Sequence, residues 1–232
     1  MGKLIEFARP DGGSCGAYLA TPDPLPLAGK RMAVVVIQEW WGLNDQICGV
    51  VDRFARAGFI ALAPDLFAGR VAKDADEASH LMNGLDFPGA THQDIRGAVD
   101  YLSALAGDAG KVGVMGYCMG GALTIAAAVH VPGVAAAACL YGIPPAGFAD
   151  PANIRIPFQG HFANQDAWCT PAAADALESA MQAAGQAPEI YRYDADHAFC
   201  NERRGEVYNA DCANLAWDRM TAFFNRTLGS PR

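Results

Sequence analysis

The run Lys111-Val112-Gly113-Val114-Met115-Gly116-Tyr117-Cys118-Met119-Gly120-Gly121 governs how the rest of the chain is read. Lys111–Met115 is a short apolar run of the kind that fills a buried strand, and Met119–Val129 is an Ala-rich helical stretch. Between them lies Gly-x-Cys-x-Gly. At a strand-to-helix turn this is the nucleophile-elbow pattern, with Cys where Ser is usual. Each position has a physical reason. A strand turning sharply into a helix strains its central residue, and the flanking glycines allow the close backbone approach. The helix N-terminus favours a thiolate at Cys118 and offers the N–H of Met119. The competing reading is a buried Cys in a Gly-rich turn; the strand before it and the helix after it favour the nucleophile.

Outward from this turn, apolar runs alternate with helical patterns. Leu4–Ala8 and Ala17–Ala20 flank Asp11-Gly12-Gly13-Ser14 and read as a hairpin, followed by a Pro-rich surface connection over Thr21–Gly29. Strands are expected at Ala33–Gln38, Phe59–Ala63, Val134–Tyr141, Ile156–Gly160 and Glu189–Tyr193. Helices are expected at Asp45–Ala57, Asp74–Met82, Asp94–Ala106, Pro171–Ala184 and Tyr208–Asn225. Continuous Val/Ile/Ala runs separated by helices predict one α/β domain over residues 1–232, a mostly parallel sheet covered on both faces with no large lid. Chemistry in such sheets gathers at the carboxyl ends of the strands.

A thiol nucleophile needs an imidazole to move protons and a carboxylate to hold the imidazole's tautomer. Asp166 follows the Ile156–Gly160 run and His197 follows Glu189–Tyr193. Cys118, Asp166, His197 is therefore the chain order nucleophile, acid, base of the α/β-hydrolase arrangement. His161 also follows a predicted strand, but it precedes Asp166 and is assigned to the pocket lining. His80, His92 and His130 fall on or beside helices and read as surface or capping residues, and Asp196 as a neighbour of His197 pointing away from it.

The loop Glu39-Trp40-Trp41-Gly42-Leu43-Asn44 follows Ala33–Gln38. By position, the Trp40 N–H pairs with that of Met119 as an oxyanion hole. A carboxylate at the end of a buried strand is costly without a task or a partner. Either Glu39 forms an ion pair with an Arg such as Arg70, or it meets Cys118 and holds its proton. Tyr141, at a strand end, and Trp41 are assigned either to the pocket lining or to the core.

Composition bounds the partners. Of 232 residues, 52 % are hydrophobic and 18 % charged, enough for a large core. The net charge of -8 disfavours nucleic acid and anionic membrane surfaces, which call for basic ones. No apolar run approaches the roughly 20 residues of a membrane span. The seven cysteines include no Cys-x-x-Cys pair, so a zinc or redox motif is not expected. With one Lys and then Glu6, the start does not read as a secretory leader, and reduced thiols in the cytoplasm are expected. Six of the seven thiols read as structural, with Cys200 notable for its nearness to His197.

Taken with Gln38-Glu39, Pro64-Asp65-Leu66, Gly116–Gly121, Gln165-Asp166 and His197-Ala198-Phe199, the chain resembles the dienelactone hydrolase family over nearly its whole length. The resemblance implies an α/β-hydrolase fold that opens unsaturated γ-lactones of aromatic-compound degradation, without metal or cofactor. It also implies a Cys118–His197–Asp166 triad whose resting thiol is shielded by Glu39 until substrate arrives. The chain departs from the family where well-known members carry two arginines that grip a substrate carboxylate. Asn201 stands at one such place, and the segment around Asp74–Asp76 has no Arg. Arg203 is the candidate replacement, with Arg204, Arg70 and Lys73 as alternatives; any of them can equally be a solvated surface charge. A small lactone or ester and a monomer or small homo-oligomer are expected. The competing functions are a catalytically silent or redox-sensing binding protein and a thioesterase.

Overall fold

A computed structural model describes residues 2–27, 31–107 and 110–229. Eight strands form one sheet: β1 (Lys3–Ala8), β2 (Ser14–Ala20), β3 (Met32–Ile37), β4 (Phe59–Pro64), β5 (Lys111–Tyr117), β6 (Val134–Leu140), β7 (Phe158–Ala163) and β8 (Glu189–Tyr193). Their spatial order is β1-β2-β4-β3-β5-β6-β7-β8. The β1–β2 and β2–β4 pairs are antiparallel and every other pair is parallel, the α/β-hydrolase architecture.

The helices are α1 (Asp45–Arg56), α2 (Ala75–Asn83), α3 (Phe87–Gly89), α4 (Arg96–Ala106), α5 (Met119–His130), α6 (Pro171–Ala183) and α7 (Ala210–Leu228). Residues Ala90–Ile95 form a π-helical segment that joins α3 to α4. The helix expected at Asp94–Ala106 therefore lies within a longer helical run, which begins beside Pro88 in the first turn. Side-chain caps fix several helix starts. Asn44 accepts from the Ile47 N–H at 3.1 Å, Thr170 from Ala173 at 3.2 Å and Asn209 from Cys212 at 3.1 Å.

The central strands β3 and β4 are buried along nearly their whole length, as their unbroken apolar runs require. Separate apolar clusters cover the two faces. Phe54, Phe59, Phe223 and Phe224 of α1, β4 and α7 fill one; Ile95, Val99, Leu102 and Leu123 of the helical run and α5 fill the other. One strand boundary alters a functional assignment. Pro157 has no N–H to donate, so β7 begins at Phe158 rather than Ile156 and runs on to Ala163. His161 consequently lies inside the strand. Asp166 still follows it.

The Pro-rich connection expected over Thr21–Gly29 is seen as non-helical, non-strand chain to Leu27; Ala28 and Gly29 lie outside the described residues. Among the described residues, no helix is long and apolar enough to cross a membrane.

Candidate active site

The turn at Gly116–Gly121 forms as its sequence requires. Cys118 adopts φ 53°, ψ -116°, a left-handed conformation costly for a residue with a Cβ, and α5 begins at the next residue. Both flanking glycines are sterically required. A Cβ on Gly116 would run into the Gly120 carbonyl, and one on Gly120 into the Ile37 carbonyl at the end of β3. The strain at Cys118 is thus held in place by contact between three neighbouring segments.

His197 Nε2 lies 3.2 Å from Cys118 Sγ, and His197 Nδ1 lies 2.7 Å from Asp166 Oδ2. Asp166 Oδ1 accepts the N–H groups of Trp168 at 2.7 Å and Cys169 at 2.8 Å. Both carboxylate oxygens are occupied. The Nδ1–H tautomer follows, with Nε2 free to accept a proton from sulfur. Burial pushes the Asp166 carboxyl up, but the hydrogen bond and charge of His197, with the two N–H groups, outweigh it, so the net shift is down. The Cys118 thiol is shifted the other way. Burial raises it most and the Glu39 charge raises it further, while the Met119 N–H beside the sulfur pulls it down. Sulfur therefore holds its proton at rest, with a proton acceptor already in contact.

Glu39 occupies a different position from the one its sequence suggested. It is 2 % exposed, its Oε1 accepts from the Tyr141 hydroxyl at 3.2 Å and its Oε2 from Asn201 Nδ2 at 2.7 Å. The expectation that Glu39 meets the Cys118 thiol is corrected: the thiol faces His197, and two other donors engage the carboxylate. Neither does Arg70 pair with Glu39, since it lies 3.7 Å from Glu77. Burial raises the Glu39 pKa, opposed by Asn201, His197 and Tyr141. Asn201, which the sequence marked only as a departure from the family, is thus a direct partner of Glu39. Its own Oδ1 accepts the Arg203 N–H at 3.0 Å.

Trp40 lines the cavity at Cys118, and Met119 opens α5 beside the thiol. Tyr141 (φ 39°) is buried, with its hydroxyl on Glu39 and its ring 5.2 Å from that of His197. It lines the cavity from behind. Three further assignments are corrected. Trp41 packs edge-on against Trp40, with ring centroids 5.2 Å apart, and its carbonyl accepts the Ala72 N–H at 2.9 Å; it lines neither cavity beside Cys118. Arg203 turns outward to Asp45 at 3.1 Å, whereas Arg204 reaches the cavity and pairs with Glu206 at 2.8 Å.

His161 is fully buried between Tyr193 Oη at 2.7 Å and Gln159 Oε1 at 2.8 Å, away from both cavities. Gln159 gives its Nε2 to Glu189, so its Oε1 accepts the His161 Nε2–H and the Tyr193 hydroxyl donates to Nδ1. This network fits a neutral imidazole, whose pKa burial pushes down to about 3.

No sequence signal marked Trp168, a 70 % exposed indole with its ring 6.3 Å from His197 and 6.5 Å from Trp40. Nor was Met82 of α2 marked, which lines both cavities beside the thiol. Among the described residues no group of three or more His, Cys, Asp or Glu is placed to hold a metal ion.

The model of the dienelactone hydrolase family matches residues 15–228. "Protein usf" of Aquifex pyrophilus is 33 % identical over 98 % of this chain and 100 % of its own length. A protein of Aquifex aeolicus provisionally named carboxymethylenebutenolidase is 29 % identical over 98 % of this chain and 100 % of its own. Among solved structures, a provisionally named dienelactone hydrolase from Klebsiella pneumoniae superposes with a TM-score of 0.84 at 25 % identity, covering 97 % of this chain and 99 % of that one.

Proposed function

The chain belongs to the dienelactone hydrolase family and is a carboxylic ester hydrolase, and from that premise we propose that it cleaves a lactone or small activated ester through a Cys118–His197–Asp166 triad. The observation that carries this reading is the continuous contact from Asp166 through His197 to the Cys118 sulfur, at 2.7 and 3.2 Å.

The steps follow from where the protons can go. When substrate covers the site, the Cys118 S–H proton passes to His197 Nε2, and Asp166 stabilises the imidazolium that forms. The thiolate attacks the carbonyl carbon. The N–H groups of Met119 and Trp40 receive the developing oxyanion. As the tetrahedral adduct collapses, the ester C–O bond breaks and the leaving oxygen takes the proton from His197. Water then gives a proton to His197 and its oxygen to the thioester carbonyl, and Cys118 leaves as thiolate and is reprotonated. Every proton that departs in one half-reaction returns in the other.

Glu39 acts on this sequence by charge. Beside the half-buried thiol it opposes the thiolate, so the sulfur stays protonated until substrate enters. A redox-sensing role for Cys118 is less well served, because sensing thiols have a lowered pKa in an exposed, electropositive setting. The test is Cys118→Ala, which should lose turnover of p-nitrophenyl acetate by about three orders of magnitude or more. Wild-type turnover by that variant would contradict the assignment.

A further inference from the structure

Cys118 stands at the junction of two cavities, of 450 and 320 Å³, both within or near the usual range for small-molecule sites. Met82, Cys118, Trp168 and His197 line both, so the two run on from each other at the sulfur. A carbonyl held there has one flanking group directed into each arm.

The arms differ chemically. The larger one carries Glu39, Asp196 and Arg204, so carboxylates outnumber the cation, and Arg204 is already paired with Glu206. The smaller one is lined by no Asp, Glu, Lys or Arg. Its far surface is Leu85, Phe87, Ile143 and Pro145, with Asn83 at its edge. Those residues come from the end of α2 and the segment after it, from α3 and from the loop after β6, and Met119 and Ala122 of α5 complete the lining. Phe87 is held edge-on by Phe148, with centroids 6.2 Å apart. Trp168, 70 % exposed, forms an apolar rim open to water where the arms meet.

We propose that the smaller arm is a hydrophobic subsite, and that the substrate is an uncharged ester or lactone bearing an aryl or short alkyl group, seated between Phe87 and Ile143. This rests on the nucleophile assignment above and adds the substrate class to it. An acidic lactone would meet Glu39 and Asp196 with only a paired Arg204 in opposition. The other cations considered for carboxylate binding do not line either cavity; Arg70 and Arg203 have acidic partners of their own. An apolar substituent displaces water from Leu85, Phe87 and Ile143 without stranding a charge.

Two substrate series test the subsite. One lengthens the acyl chain of p-nitrophenyl esters from acetate to hexanoate; the other enlarges the alcohol of acetate esters from methyl to benzyl. In one of them kcat/KM should rise about threefold to fourfold for each methylene that enters the arm. A terminal carboxylate on that same group should reverse the gain. Ile143→Asp, with folding checked by its thermal melt, should flatten the rise. A flat response in both series, or preference for the carboxylate-bearing ester, would overturn the proposal. Those results, with turnover still lost in Cys118→Ala, would remove the subsite and leave the nucleophile standing. Turnover retained in Cys118→Ala would instead remove the nucleophile.

Discussion

At Glu39, the Tyr141 hydroxyl and the Asn201 amide both donate to a carboxylate that the fold has taken out of water. That arrangement fits an ionised side chain, and its charge is the second cause, after burial, of the raised Cys118 pKa. Glu39→Gln removes the charge while keeping an acceptor for one donor. The thiol pKa should fall, the thiolate fraction at pH 8 should rise, and iodoacetamide should alkylate Cys118 several times faster. An unchanged alkylation rate would separate Glu39 from the thiol. The same scale shows what sequence could not resolve. Arg203 and Arg204 are adjacent, and only their opposite directions place one on Asp45 and the other in the cavity. Asn201 was recognisable as a departure from the family, but its bond to Glu39 spans residues far apart in the chain and leaves no local trace.

Among the elements, β7 carries the clearest consequence. A neutral His161 sealed between Tyr193 and Gln159 cannot accept a proton until about pH 3, whereas the unfolded chain does so near 6.5. Between those values the unfolded state holds more protons, so stability falls as pH falls from 6.5 towards 3. At about 1.4 kcal/mol per pH unit the loss from this group is on the order of 5 kcal/mol. Urea unfolding of His161→Gln across pH 4 to 8 should show a shallower decline than wild type; equal slopes would exclude the mechanism. The turn into α5 makes a second prediction. Gly120→Ala drives a Cβ into the Ile37 carbonyl and should cost about 2–4 kcal/mol in urea unfolding. A loss within about 0.5 kcal/mol would show the turn to be slack.

Strands were legible because runs such as Val34–Ile37 and Phe59–Ala63 are buried on both sheet faces and so continuously apolar. The misplacement of His161 came from the far end of β7: pairing with β8 continues through Phe162 and Ala163, so a histidine expected past the strand lies within it. Helix ends shifted for similarly local reasons, with α7 running over Ala210–Leu228 from its Asn209 cap rather than over Tyr208–Asn225.

Across the whole molecule, Cys118, Asp166 and His197 come together because β5, β7 and β8 run parallel and end on one side of the sheet. Their chain order was readable without coordinates. The shape of the pocket was not, since its walls join α2, the loop after β6 and the loop bearing Trp168, segments with no shared sequence pattern. The central claim is covalent and can be weighed on the intact chain. Rapid mixing with p-nitrophenyl butyrate, acid quench and mass spectrometry should show one butyryl group added, mapped by digestion to the peptide containing Cys118. An adduct on another residue, or turnover with no adduct in wild type and full activity in Cys118→Ala, would contradict it.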